Sequence, residues 1–274
     1  MDANGPDRRT PSADREERPS PSRTLEKGLQ VLSLFDVSNP EWTLKDIRDA
    51  AGLPKATGFR LVKTLENLKY LAFDAKTGVY RLGSAMMKAA FLAQTHSALV
   101  GAAEPFIQAL ADVTTETVDL SVPTDQGAMI LYTVYTPRPF RPYTPPGMTM
   151  AGLNNTHCKI FAAFRPEAQM NKAVAENVPN TPRSITDPEL LMKQLTEIRD
   201  HGVAYGFEEF KLGMCAVGAP VFDSTGDIRA ALAVVVPVER FAETERHAYA
   251  DAVVDAAARL SRELGGTRSH DAAV

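Results

Sequence analysis

The sequence predicts an α+β protein in two parts, a small winged helix-turn-helix followed by a larger domain of antiparallel strands and helices. Three observations predict it. Between residues 22 and 82, three short helical patterns run into a basic hairpin. Beyond residue 112, alternating strand patterns interleave with stripes of 3.6-residue period. Charge divides near the same boundary: residues 22–82 carry ten Lys/Arg against seven Asp/Glu, net +3, whereas residues 83–274 carry sixteen against twenty-two, net −6.

Length and composition agree. A chain of 274 residues exceeds the usual single domain, and 44% hydrophobic with 23% charged residues is a globular profile. The net charge of −4 excludes a uniformly basic protein but leaves room for one basic module. Two cysteines are too few for a secreted disulfide scaffold and read as free thiols of a reducing cytoplasm. The longest apolar runs, such as residues 230–238, fall short of the roughly 20 residues that span a bilayer. Residues 1–21 contain no apolar segment of a signal peptide and too little to bury, so they are expected to be a disordered arm.

In the first module Ser22 is placed to cap a helix over residues 23–35, with Leu25, Leu29, Leu32 and Phe35 on one face. Asn39-Pro40 breaks the chain. Thr43 caps a short helix to residue 50, with Asp46 as its reciprocal partner. Ala51-Gly52-Leu53 forms a tight turn, and Pro54 opens a third helix to about residue 69 as a first-turn proline. There Leu61, Leu65 and Leu68 face one way and Ala56, Arg60, Lys63 and Asn67 roughly the other. Extended runs at residues 70–73 and 79–82 then flank a turn with Lys76 at its tip.

This arrangement suits duplex DNA. The third helix brings Lys55 and backbone N–H groups to its N-terminus and Arg60 and Lys63 to its exposed face. Thr57 and Arg60 are the expected base readers, with Lys76 and Arg81 on the flanking backbone or minor groove. No glycine loop is present to cradle a nucleotide.

Residues 84–95 and 104–111 read as helices linking the two parts. Val118, Leu120 and Val122 alternate as a strand, as do Ile130, Tyr132 and Val134. Residues 137–147 hold five prolines and form an irregular loop. A helix starts near Thr156. Another is capped by Thr186 and Glu189 and ends at Gly202. Residues 216–222 and 228–236 flank a hairpin turn, and a last helix over residues 243–264 turns Tyr249, Val253, Ala256 and Leu260 inward. Together these predict a sheet covered on one face.

Three reactive-looking groups have weaker readings. His157 beside Cys158 invites thiol chemistry, yet adjacent helical residues point about 100° apart. Cys158, Cys215, His157 and His201 lack any recognised metal-ligand spacing, so no metal or cofactor is expected. Glu208 and Glu209, neighbours on an extended segment, face opposite ways and read as structural or surface groups rather than a catalytic pair.

The stretch from Thr43 to Gly83 closely resembles the DNA-binding domain of IclR-type transcriptional regulators, through AGLPKAT (51–57), Arg60-Leu61-Val62, Thr64-Leu65-Glu66 and TGVYRLG (77–83). The C-terminal half is similar too, through IRDHGVA (198–204), Glu208-Glu209, residues 213–220, residues 230–237 and Arg240. The resemblance covers about residues 22–264 in collinear order. It implies a non-enzymatic bacterial regulator with a GAF-like α/β effector-binding domain, acting as a dimer or dimer of dimers on an operator. The implied segments are a winged domain at 22–83, a linker at 84–111 that is also part of the dimer surface, an effector domain at 112–264 and a disordered tail at 265–274. By the same resemblance Met148, Met150, Asn155, Cys158, Ala216, Ala233 and Val235 wall the pocket, a mainly apolar set implying an aromatic or acyl-bearing effector rather than a small oxo-acid. Departures from the family pattern include Ala56 for Ser, Gly58 for a larger residue (read as close approach to DNA), Gly206 for a pocket Asp, and retention of only Lys159 from one effector motif.

Overall fold

The computed structural model describes residues 22–36, 39–95, 97–125 and 127–266. The predicted arm at 1–21 and residues 267–274 of the predicted tail lie outside them. The chain forms two compact units that divide between Ala89 and Ala90.

In the first unit, α1 (Arg23–Leu32) is capped by Ser22, whose hydroxyl accepts from the Leu25 amide at 3.4 Å. It is shorter than predicted. Its inward residues are Gly28 and Val31, while Leu25 and Leu29 are exposed. A two-residue strand, β1 (Trp42–Thr43), leads to α2 (Leu44–Ala50). There the Thr43 hydroxyl accepts from the Asp46 amide at 3.2 Å and donates to its carboxylate at 2.6 Å. Gly52 turns the chain at φ +61°, a value costly for a residue with a Cβ. Pro54 is the N-cap of α3 (Lys55–Asn67) rather than its first residue. Strands β2 (Leu71–Asp74) and β3 (Val79–Leu82) form the hairpin, and β1 adds to β3 with Trp42 opposite Tyr80. Val31, Phe35, Ile47, Leu53, Val62, Leu71 and Tyr80 make the core.

α4 (Ser84–Thr95) carries the chain across the division between units. The second unit begins with α5 (Ala98–Thr114), which packs on the sheet and on the last helix, so residues 98–111 belong to that domain's body. Its sheet contains β4 (Thr117–Thr124), β5 (Gly127–Val134), β6 (Thr149–Ala151), β7 (Ala204–Phe207), β8 (Met214–Phe222) and β9 (Ile228–Pro237). They lie antiparallel in the order β6-β5-β4-β9-β8-β7. The remaining helices are α6 (Thr156–Ala163), α7 (Glu167–Ala175), α8 (Pro188–His201) and α9 (Glu243–Glu263). α8 is capped by Asp187, one residue after the predicted Thr186, and ends at Gly202 with φ +70°.

The expected one-sided cover is corrected: helices lie on both faces. α5 and α9 pack on Val118, Leu120, Leu232, Val234 and Val236, while α6 and α8 share the core of Ala128, Ile130 and Ala231 opposite. The reason is visible in β9, whose residues 230–237 are all buried. An unbroken apolar run is the pattern of a strand enclosed on both sides.

At the start of β4, Glu116 is fully buried and anchors the chain that follows β9. It accepts from Arg240 Nε at 2.6 Å and Nη2 at 2.7 Å, and from Arg138 Nη1 at 3.0 Å. Removing one partner from such a cluster strands the other charges. Glu116→Gln is therefore expected to lower the unfolding free energy by about 3 kcal/mol, read as a shifted urea midpoint at unchanged slope.

Candidate functional site

The exposed side of α3 carries Lys55, Ala56, Phe59, Arg60 and Thr64, with Thr57 half-buried at its edge. Lys76 stands exposed at the hairpin tip, where its amide donates to the Asp74 carboxylate at 2.9 Å. Among the described residues, no ion pair engages Lys55, Arg60 or Lys76, so three cations face solvent unmatched. Lys63 and Arg81 differ. Lys63 is bound to Glu66 at 2.8 Å and lies over the Phe73 ring at 5.5 Å; the Glu66 hydrogen bond raises its pKa. Arg81 is held by Glu41 at 2.7 Å and Asp74 at 3.3 Å. Lys63 thus ties α3 to the hairpin through Phe73, whereas Arg81 ties β3 to β2 and to the segment before β1. Gly58 faces inward, where a Cβ would collide with the Arg48 side chain. Its smallness admits α2 rather than DNA, contrary to the sequence reading. Leu68, expected inward, is exposed.

In the second unit a cavity opens between the sheet and the start of α6. Its volume is about 30 Å³, and it opens to solvent. Of the seven predicted pocket residues it brings together Met150, Asn155, Ala216 and Val235. Ala233 is buried in β9 opposite Asp119, Met148 packs into the α6-side core, and Cys158 lines a separate hollow with Gly127, Phe161 and Arg165. Those three do not reach this cavity. Phe210, Met214 and Cys215 complete its apolar wall, and Asp119, Thr144, Asn154, His157 and Glu209 supply a polar one. Gly206 lines it too, and a Cβ there would come within 2.8 Å of Thr156 Oγ1.

Asp119 is the unusual group. Its Oδ1 accepts from Thr144 at 2.8 Å and Thr133 at 3.0 Å, while Oδ2 has no hydrogen-bond partner in the protein. Burial pushes its pKa up to about 7 against the two hydroxyl donors, which lower it. His157 Nδ1 lies 2.7 Å from Ser121 Oγ, and its Nε2 is 3.9 Å from Asp119 Oδ2, beyond hydrogen-bond reach. Burial depresses the imidazole to about 4, so it is neutral at pH 7. Ser121 does not line the cavity, and the three residues make no nucleophilic relay.

Lys159 is entirely buried and donates to both oxygens of Glu209, at 2.6 and 2.7 Å. Desolvation lowers its pKa, opposed by that carboxylate. Glu208 turns away at φ +58°, its carboxylate accepting from the Gly213 amide at 2.8 Å, so the two glutamates form no dyad. Cys158 Sγ donates to the Met150 carbonyl at 3.3 Å, and burial pushes both Cys158 and Cys215 up to about 11, far from a reactive thiolate. Among the described residues, no cluster of three His, Cys, Asp or Glu is arranged to hold a metal ion.

Residues 24–75 match the IclR helix-turn-helix domain, and residues 91–262 match the C-terminal domain of the bacterial transcriptional regulator IclR. The chain belongs to the IclR family. This IclR-family regulator is 29% identical over 241 residues to the HTH-type transcriptional regulator BhcR of Paracoccus denitrificans, covering 87% of this chain and 86% of that one. Its fold is that of an IclR transcriptional regulator from Alicyclobacillus acidocaldarius, with TM-score 0.81 at 22% identity over 90% of this chain and 100% of the other. An IclR homolog from Microbacterium hydrocarbonoxydans, solved in complex with 4-hydroxybenzoate, shares the fold at TM-score 0.75 and 20% identity, with 88% and 98% covered. No helix among the regulator's described residues is long and apolar enough to cross a membrane.

Asp119, Thr144, Asn154 and Glu209 escaped the sequence reading as cavity residues. Asp119 carried a findable signal: an acid between the apolar Val118 and Leu120, in the half of the strand, residues 117–121, that is buried throughout. Its titration gives a test. The folded carboxyl holds its proton to about pH 7 and the unfolded one only to about 4, so its contribution is complete at low pH and is lost as pH rises through 7. His157 acts oppositely, losing its contribution as pH falls from 6.5 to about 4, in native protein and variant alike. Asp119→Asn should therefore match the native regulator in stability near pH 4. It should gain on it by up to about 1.4 kcal/mol per pH unit towards pH 7, measured by chemical denaturation across that range.

Proposed function

We propose that this regulator grips operator DNA through the exposed face of α3 and the hairpin tip, and that a small molecule in the second unit's cavity changes its grip. Lys55 and Arg60 neutralise phosphates and meet acceptors in the major groove, with Ala56 and Thr57 against the bases. Lys76 takes the flanking backbone or minor groove. Lys63 serves indirectly, by holding the hairpin against the recognition helix through Phe73, and Arg81 by tying the hairpin to the segment before β1. The observation that carries this reading is the set of three unmatched cations on the exposed helix face and hairpin tip of a helix-turn-helix unit.

The effector lies between the polar wall of Asp119, Asn155 and His157 and the apolar wall of Met150, Phe210 and Val235. An aromatic or acyl-bearing carbon skeleton suits the apolar side. The protein works in the cytoplasm as a dimer or dimer of dimers. A ligand that binds one arrangement of the dimer better shifts the population towards it and so changes the spacing of the two recognition helices. No turnover is needed, and the buried, protonated thiols support a binding role rather than a catalytic one.

Binding of the full chain to duplexes taken from beside its own gene, over a range of salt, tests the DNA half. Arg60→Ala is expected to weaken operator binding by about 1–3 kcal/mol and to reduce the slope of log K against log salt by about one. Arg81→Ala should leave that slope nearly unchanged. Equal slopes for native protein and Arg60→Ala would remove α3 from the interface.

A further inference from the structure

The cavity has an acceptor side without a cation and a donor side without an anion. Asp119 is fully buried, with Oδ2 free of any protein partner. His157, its nearest basic neighbour, is 3.9 Å away and makes no hydrogen bond to it. Lys159, the cation buried in the same unit, is committed to Glu209 through both carboxylate oxygens. The lining groups thus carry one uncompensated acid.

At the N-terminus of α6, Asn155 uses its Oδ1 to accept from the Cys158 amide at 2.8 Å, which fixes the side chain and leaves Nδ2 as a buried donor without a partner. The first turn of the helix adds the positive end of its dipole, its Cys158 and Lys159 amides being taken by Asn155. Neighbouring Asn154 is fixed likewise by its donation to the Val178 carbonyl at 2.6 Å, leaving Oδ1 as a second unpartnered acceptor.

A simple carboxylate would satisfy Asn155 and α6 but hold Asp119 in its protonated form, with no group to compensate the charge it takes on above about pH 7. A simple amine would compensate Asp119 and leave the donors unmet. A molecule with both groups on one carbon satisfies the two sides together. We propose that the cavity takes a zwitterionic α-amino acid, its ammonium on Asp119 Oδ2, its carboxylate on Asn155 Nδ2 and the start of α6, and an apolar side chain against Met150, Phe210 and Met214. This assignment rests on the reading of the cavity as the effector site.

The test is calorimetric titration of the full chain with L-leucine and L-phenylalanine, with the 2-hydroxy acids bearing the same side chains, and with the corresponding amines. At least one amino acid is expected to bind tenfold or more tighter than its hydroxy acid and its amine. Asp119→Asn should erase the margin over the hydroxy acid. Hydroxy acids or amines that match the amino acids, no binding by either amino acid, or a margin that survives Asp119→Asn each overturn the proposal. If circular dichroism shows that variant unfolded, the ranking on native protein decides alone. Operator affinity is measured beside each ligand that binds. A hydroxy acid that binds equally and shifts operator affinity removes the amino-acid assignment but keeps the effector reading. An amino acid that binds with the expected preference and leaves operator affinity unchanged does the reverse.

Discussion

The Lys159–Glu209 pair fixes the geometry on which the second unit's cavity depends. A lysine with no exposed surface, held by both oxygens of one carboxylate, is costly to bury and costlier to break. It ties the middle of α6 to the segment after β7. Asn155, Thr156 and His157, at the start of that helix, are thereby set against Asp119 on β4 and Val235 on β9. Because the pair's charges cancel, it contributes position and no net charge, and Asp119 remains the titrating carboxyl whose unpartnered oxygen an occupant meets.

The first unit uses charge in the opposite way. Glu66, Glu41 and Asp74 are spent on Lys63 and Arg81, while among the described residues no ion pair engages the cations of the exposed helix face and the hairpin tip. Two of the residues that the sequence assigns to DNA, Lys63 and Arg81, are thus engaged by acids of their own unit. The division follows from position: Lys63 sits one turn from Glu66, and Arg81 projects from the strand beside Glu41 and Asp74, whereas Lys55 and Arg60 have no acid within reach.

The helix boundaries of the first unit were largely legible because caps and turns are local. Ser22, Thr43 and Gly52 act as their spacing implies, and the β8–β9 turn was readable for the same reason. β1, β6, β7 and α7 were not, since short elements owe their form to distant partners such as Tyr80 for Trp42. Four of the seven pocket residues that the resemblance implies line this cavity: Met150, Ala216 and Val235 on the apolar side and Asn155 on the polar one. Asp119, the rest of that polar side on β4, depends on which face of the strand meets α6, and alternation gives the period of a strand without saying what covers each side. Leu25 and Leu29 show the same limit: helical spacing marks a stripe, and tertiary packing chose Gly28 and Val31 instead.

The enclosure of both thiols has a practical corollary for redox behaviour. Cys158 and Cys215 are 4% and 2% exposed, in separate hollows, and stay protonated well above neutral pH. Glutathione and peroxide act on the thiolate, so both cysteines are poor targets for cellular oxidants. Alkylation of either buried thiol therefore reports on transient opening of the structure around it, Cys158 beside α6 and Cys215 in the core beneath α5 and α9.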